Sequence, residues 1–403
     1  MRSSQVLLRL VAPAMRAVDR LQRLGVRVGP GPLHRVAALH KRLRRLLWPL
    51  LIRGTPFTRV AQIDADGATL TGFVGAVPVI APWSVTFGDG PGRAFVDRTY
   101  DFVRGRLDLK GASVATFAPA YLHVPSGLAC TVDGAVIADS VKKVERHIAA
   151  AAGLDLGAVH PLAGTWATVM CRPYDNYYHW IHDCVLRLYV LQRWPERPPL
   201  TVAVPPTLRP YQRRSLEACL PAGAAVGEVA DDWVRVERLV LPSFITEPLV
   251  GMVPPDALAY VRRCVVSRAC GEPPSAGRRL YISRAATRHR QILNEDELTD
   301  SLQEFGFEIV QPEALSFDEQ VRLFAAATII VGSRGAALTN MIFAHHARIL
   351  EITSAEPFAG AVYFGLAHSL GHRYRHLFCE RRGAAYVVDP AEFRDALSGL
   401  IAA

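Results

Sequence analysis

Between residues 279 and 352, short apolar runs alternate with capped, helix-patterned segments. This alternation constrains the fold more than any other feature of the chain. Residues 279–283 read as a strand, Asn294 stands three residues before Glu297 at the spacing of a capping box, Gly306 stops that helix, and residues 307–310 form the next apolar run. Ser316 and Glu319 repeat the capping spacing ahead of a helix running to about Ala327. Residues 328–332 are a strand entering a glycine-bearing turn, a further helix passes through 340–343, and residues 348–352 close the series. Strands joined through helices by short connections form βαβ units, and so predict a parallel sheet.

A chain of 403 residues exceeds one ordinary core, which predicts two domains: 57–270 and 271–403, preceded by an arm at 1–56. Half of the residues are apolar and 21% are charged, the balance of a folded soluble protein. No apolar run is long enough to cross a bilayer, and Arg9 interrupts the stretch that a secretory signal would need. Seven scattered cysteines, never spaced Cys-x-x-Cys, argue against a disulfide framework or structural zinc and suit a reducing cytoplasm.

The net charge of +9 is uneven. Residues 1–60 hold thirteen Lys or Arg against the single acid Asp19, so the remaining chain is near neutral with 33 bases and 36 acids. Within the arm, Val36, Leu39, Leu43, Leu46, Leu47 and Leu50 recur at helical spacing among Lys41, Arg42, Arg44 and Arg45. Such a basic amphipathic segment, over residues 33–53, suits either an anionic membrane surface or packing on the body. A nucleic-acid partner is not expected, because no basic face or known motif recurs in the folded part.

Residues 57–135 read as short strands and turns. Asp64-Ala65-Asp66-Gly67 sits between two strand-like runs and predicts a hairpin turn rather than a metal site. No metal site is expected elsewhere.

In a parallel sheet, ligands bind beyond the carboxyl ends of the strands. Three such ends carry chemistry here: Ser283-Arg284 with Arg288 and Arg290; Gly332-Ser333-Arg334-Gly335-Ala336; and Glu351. Arginines beside the free amides of a helix start make a diphosphate cradle, and a neighbouring acid suits ribose hydroxyls. Close packing of helix on strand would also account for the glycines. A second constellation is Asn176-Tyr177-Tyr178-His179-Trp180-Ile181-His182-Asp183. On a helix, His179 and Asp183 share a face, and a carboxylate that orients an imidazole makes a general base. Arg187 extends that face, and His182 falls on another. A cap or an internal salt bridge would use the same residues.

These blocks, with Asn294-Glu295, Gly306-Phe307, Gln320, Asn340 and Phe343 in the same order, resemble glycosyltransferase family 61 over about residues 165–355. The resemblance implies a GT-B architecture, two Rossmann-like α/β domains facing across a cleft. It also implies an inverting reaction with a nucleotide sugar, usually a uridine diphosphate sugar, without an obligatory metal or cofactor. Carried over, Arg284 and Arg290 would grip the diphosphate and the turn from Gly332 to Asn340 would line it. Glu351 would approach the nucleoside, Asn176 would be among the substrate- or donor-binding residues, and His179 and Asp183 would face the acceptor. One departure stands out: Arg334-Gly335-Ala336-Ala337 replaces the usual His-Gly-Ala-Gly.

The expected activity is transfer to a glycan or lipid-linked acceptor in surface polysaccharide or capsule synthesis, in the cytoplasm at the inner membrane face. The alternatives are a non-catalytic nucleotide-sugar-binding scaffold and a sugar-nucleotide epimerase or hydrolase on the same fold. A Rossmann oxidoreductase is disfavoured, since no Gly-x-Gly-x-x-Gly follows a strand.

Overall fold

The computed structural model describes residues 52, 55–66, 69–86, 106–151, 154–246, 251–272, 274–287, 289–354 and 362–402. The basic segment at 33–53 lies, apart from Ile52, outside the described residues, and so does Arg288. Among the described residues no helix is long and apolar enough to cross a membrane.

The chain forms a mixed α/β structure with two large sheets. Strands of the ten-stranded sheet fall between Arg59 and Pro242. Its centre is Trp233–Pro242, which runs parallel to His160–Ala167 on one side and antiparallel to Ala112–Phe117 and Ala120–His123 on the other. Beyond His160–Ala167 the pairing stays parallel through Leu200–Val204 to Ala224–Glu228. This sheet is therefore half parallel and half an antiparallel meander.

The hairpin expected at Asp64–Gly67 does not form. Ile63–Asp66 is a single helical turn, in which Asp66 Oδ2 accepts the Gln62 amide at 2.8 Å. Arg59–Ala61 pairs instead with Ala135–Ile137, and Phe73–Ile80 with Ala112–Phe117. Both partners lie far along the chain, so the local turn signal lost to long-range pairing.

The second sheet has six strands: β1 (Arg278–Ile282), β2 (Glu308–Val310), β3 (Ala327–Ser333), β4 (Arg348–Ser354), β5 (Arg373–Arg382) and β6 (Ala385–Val387). Their order is β2-β1-β3-β4-β5-β6; the first five are parallel and β6 is antiparallel to β5. Successive side chains enter two different cores, as the period of two demands. Leu280, Ile282, Ile330 and Ile349 join one apolar cluster; Tyr281, Ile329, Val331, Leu350 and Ile352 join another on the opposite face. Burial on both faces explains why these strands read as continuous apolar runs.

The capping box at Ser316 is present. Its hydroxyl accepts the Glu319 amide, and Glu319 accepts the Ser316 amide at 2.8 Å, starting the helix Phe317–Ala325 that buries Phe317, Val321 and Phe324. The box expected at Asn294 is absent: its side chain donates to Val388 O and accepts from Val388 N, tying the chain to the segment after β6.

The two sheets share a core. The cluster that holds Leu280 and Ile330 also holds Val114, Ala167 and Val202 from the ten-stranded sheet. The helix Pro255–Cys270 is bonded to the second sheet's side: Arg322 donates to Ala269 O and Arg262 to Ala344 O, each at 3.0 Å.

Candidate active site

The Asn176 block folds into one helical stretch over residues 177–192. Asn176 caps it, accepting the amides of Tyr178 at 3.0 Å and His179 at 3.4 Å. The middle segment, Trp180–Val185, is a π-helical turn, a widening often found at functional sites. Trp180 anchors it by donating from Nε1 to Ser215 Oγ at 2.8 Å inside the core. Arg187 is fully buried: it donates to Pro242 O and Met170 O and lies over the Phe244 ring at 4.4 Å. It ties the helix to the central strand instead of extending the reactive face.

His179 and Asp183 meet as their spacing predicts, with Nδ1 to Oδ2 at 2.7 Å. Asp183 is 4% exposed, and its other oxygen is bonded by Lys142 Nζ at 2.5 Å. Burial works to keep the carboxyl protonated, but the His179 hydrogen bond and the Lys142 charge outweigh it and hold the group down at about 2. The imidazole remains 39% exposed, so the pair has one wet end. His182 is different. Burial pushes it down to about 4, and it stacks on Tyr178 with ring centroids 4.1 Å apart. It is a neutral packing residue.

The six-stranded sheet supplies the second half of the candidate site. The chain leaves β1 for β2 on one side and then crosses to β3 on the other, so the order reverses between β1 and β3. A ligand crevice is expected at the carboxyl ends of such a pair. Ser283 and Arg284 stand at the end of β1; Ser333, Arg334 and Gly335 stand at the end of β3.

The two loops are bonded together: Ser333 Oγ donates to Arg290 O at 2.8 Å, and Arg284 folds over the turn. A Cβ on Gly335 would lie 1.9 Å from Arg284 Nη1, and one on Gly332 would lie 2.9 Å from Ile282 Cβ. Gly332 is thus called for by strand packing, whereas a side chain at Gly335 would displace the mobile end of Arg284. Arg284 donates to His289 O through Nε and Nη2; burial and the neighbouring Arg290 both lower its pKa from the usual arginine value. Arg290 itself has φ of +58°, an uncommon conformation for a residue with a side chain. Ser283 is taken by Glu295, which also accepts from Tyr281.

Arg334 and Glu351, expected at the phosphates and the nucleoside, are turned inward. Arg334 Nε meets Glu351 Oε1 at 2.5 Å, with side chains 6% and 0% exposed, and the Tyr374 hydroxyl donates to the other oxygen. Burial and the Glu351 carboxylate push Tyr374 far up, so it remains a proton donor. Ala336 is half-buried at the start of Ala336–Phe343, a 3-10 helix where the sequence predicts a helix through 340–343.

Aromatic side chains join the halves. Tyr177 donates to Asn340 Oδ1 at 2.6 Å, and Asn340 donates to Gln320 at 3.0 Å. Tyr178 meets Tyr363 edge-on at 5.9 Å, and Tyr363 sits in the electrostatic field of Glu351, Arg334 and Arg290. The Asn176 block therefore packs directly against the turn that carries Gly335. Sequence reasoning missed Lys142, Tyr177 and Tyr363 as site neighbours. Lys142 carries no motif, and Tyr363 follows β4 at a helix start with no distinguishing pattern. Among the described residues, no group of three or more His, Cys, Asp or Glu could hold a metal ion.

Comparison with known proteins covers the same region of the chain. Residues 177–350 match the family described as Glycosyltransferase 61. A stretch of 123 residues is 35% identical to the EGF domain-specific O-linked N-acetylglucosamine transferase of Drosophila melanogaster, covering 29% of this chain. The aligned part spans 23% of that protein's length. The matched segment begins at Tyr177, two residues before His179, and ends at the residue before Glu351, taking in the dyad, both arginines and the Gly335 turn. Over residues 177–350 the chain is therefore similar to glycosyltransferase family 61.

Proposed function

We propose that the protein is an inverting glycosyltransferase of GT-B architecture. It moves a sugar from a nucleotide sugar to a hydroxyl of a glycan or lipid-linked acceptor in surface polysaccharide synthesis. The observation that carries this reading is the packing of the His179–Asp183 pair, through Tyr177 and Asn340, against the turn on which Arg284 rests. A proton acceptor and a pair of cations for a diphosphate are the two groups that a single displacement needs.

In this reading the acceptor oxygen attacks the anomeric carbon while His179 takes its proton, with Asp183 orienting the ring. The bond from that carbon to the diphosphate oxygen breaks, the configuration inverts, and the nucleoside diphosphate leaves. Arg284, Arg290 and the amides opening the 336–343 helix stabilise the developing charge. Arg334 and Glu351 support the turn from beneath. The donor is a uridine diphosphate sugar, and the relative's printed name makes the N-acetylglucosamine derivative the first to try. The basic segment at 33–53 holds the protein to the inner membrane face.

The buried Arg334–Glu351 pair, standing where the family usually has a histidine, favours a second reading: a nucleotide-sugar-binding scaffold without turnover. Both readings need the donor site, and a thermal-shift screen with nucleotide sugars tests it. A ligand at 100 times its Kd adds about 2.7 kcal/mol of stability. One uridine diphosphate sugar should raise the Tm of wild type, with the rise lost in Arg284→Ala. No rise with any nucleotide, with or without added divalent metal, would sink both readings; a rise without turnover would favour the scaffold.

A further inference from the structure

Lys142 lies 35 residues before the family-matched segment, yet its ammonium ends on the carboxylate of the dyad. Its position is built, not incidental. Its backbone amide faces Cys171 Sγ at 3.5 Å, its carbonyl meets His147 Nε2 at 3.2 Å, and the next residue, Lys143, adopts a left-handed φ of +55°. Its Nζ lies 5.2 Å from the centroid of the Phe244 ring, the ring that Arg187 also covers. The charged and titratable groups around Asp183 are His179, Lys142, His182, Arg187, Cys171 and Cys184. Of these, only His179 and Lys142 bond the carboxylate, one on each oxygen.

We propose that Lys142 is a positioning residue: by occupying Asp183 Oδ1 it keeps the carboxylate anionic and aimed at His179, so the acceptor's proton goes to His179 Nε2 and not to Asp183. This rests on the transferase reading, and it settles which member of the dyad is the base. Asp183 has both oxygens engaged and almost no exposure, so an acceptor hydroxyl cannot reach it without displacing a partner. His179 engages only Nδ1 in that pairing and remains open to solvent.

The test compares wild type with Lys142→Met and Lys142→Arg by following the 13C carboxylate resonance of Asp183 against pH in the full chain. Removing the cation should move that titration to higher pH, and the arginine variant should stay near wild type. Lys142→Gln, which keeps a donor but not the charge, is read if the methionine variant does not fold. A titration unmoved by loss of the charge overturns the proposal. Once a donor and acceptor are in hand, kcat should fall in Lys142→Met while the donor KM holds. The carboxylate measurement needs no substrate, so a protein that transfers no sugar refutes the transferase reading without touching the pairing.

Discussion

Asp183 and Glu351 are both buried carboxylates, each with a basic side chain on one oxygen and a second donor on the other. They differ in where the second donor leads. Asp183 is joined to His179, which reaches solvent, and its lysine is 24% exposed. Glu351 is joined to Arg334, enclosed in the core, and to the half-buried Tyr374 on β5. A charge network with one wet end can exchange a proton with a substrate. A sealed network can only hold its neighbours, because every bond it breaks leaves a buried group without a partner. Burial and charge do not separate the two roles; access does.

Mutations on the two sides should separate in kind. His179→Gln should lower kcat on the order of 1,000-fold, the scale of a lost general base, while moving the Tm little. A variant that keeps more than a tenth of wild-type turnover would remove His179 from the chemistry and dissolve the contrast. Glu351→Gln should do the reverse, costing about 3–5 kcal/mol of unfolding free energy by stranding Arg334 in the core. Urea unfolding measures it; a loss under about 1 kcal/mol would mean that the sealed network holds little.

Acid should then distinguish them further. Asp183 is held at about 2 against an ordinary 3.8, so its ionised form stabilises the fold by about 2 kcal/mol above pH 3.8. The folded-state value is the depressed one, so this stability is lost as pH falls from 3.8 toward 2. Unfolding midpoints across that window should drop more steeply for wild type than for Asp183→Asn, and equal slopes would contradict the pairing. The smallest effect serves as calibration. Ser316→Ala removes a helix cap remote from both networks and should cost about 1 kcal/mol with kcat unchanged. A fall in kcat there would mean that turnover tracks global stability, blunting the comparison.

Much of the candidate site was legible because its signals are local. The i, i+4 spacing of His179 and Asp183, the cap at Asn176, and the arginines and glycines at strand ends all act within a few residues of themselves. Arg334 shows where that logic stops. An arginine at a strand end reads as a phosphate ligand, but the chain also carries Glu351 in register one strand away, and β3–β4 pairing sets Gly332 opposite Glu351. Once that register forms, the nearest carboxylate captures the guanidinium. The failed hairpin at Asp64 and the missing cap at Asn294 have the same origin, since a distant segment engaged the backbone of 59–61 and the side chain of Asn294.

By itself the sequence determined the parallel sheet between 278 and 354, the helix after Ser316 and the meeting of His179 with Asp183, because strand alternation, capping and helical spacing are short-range geometry. Only the tertiary structure decided that Lys142 closes the far side of Asp183, that Arg334 points inward, and that Tyr177 and Tyr363 join the two halves of the site. Those contacts link residues from 17 to 185 positions apart. Which of several chemically equivalent partners such a side chain meets is fixed by strand register and core packing, and no local pattern encodes either.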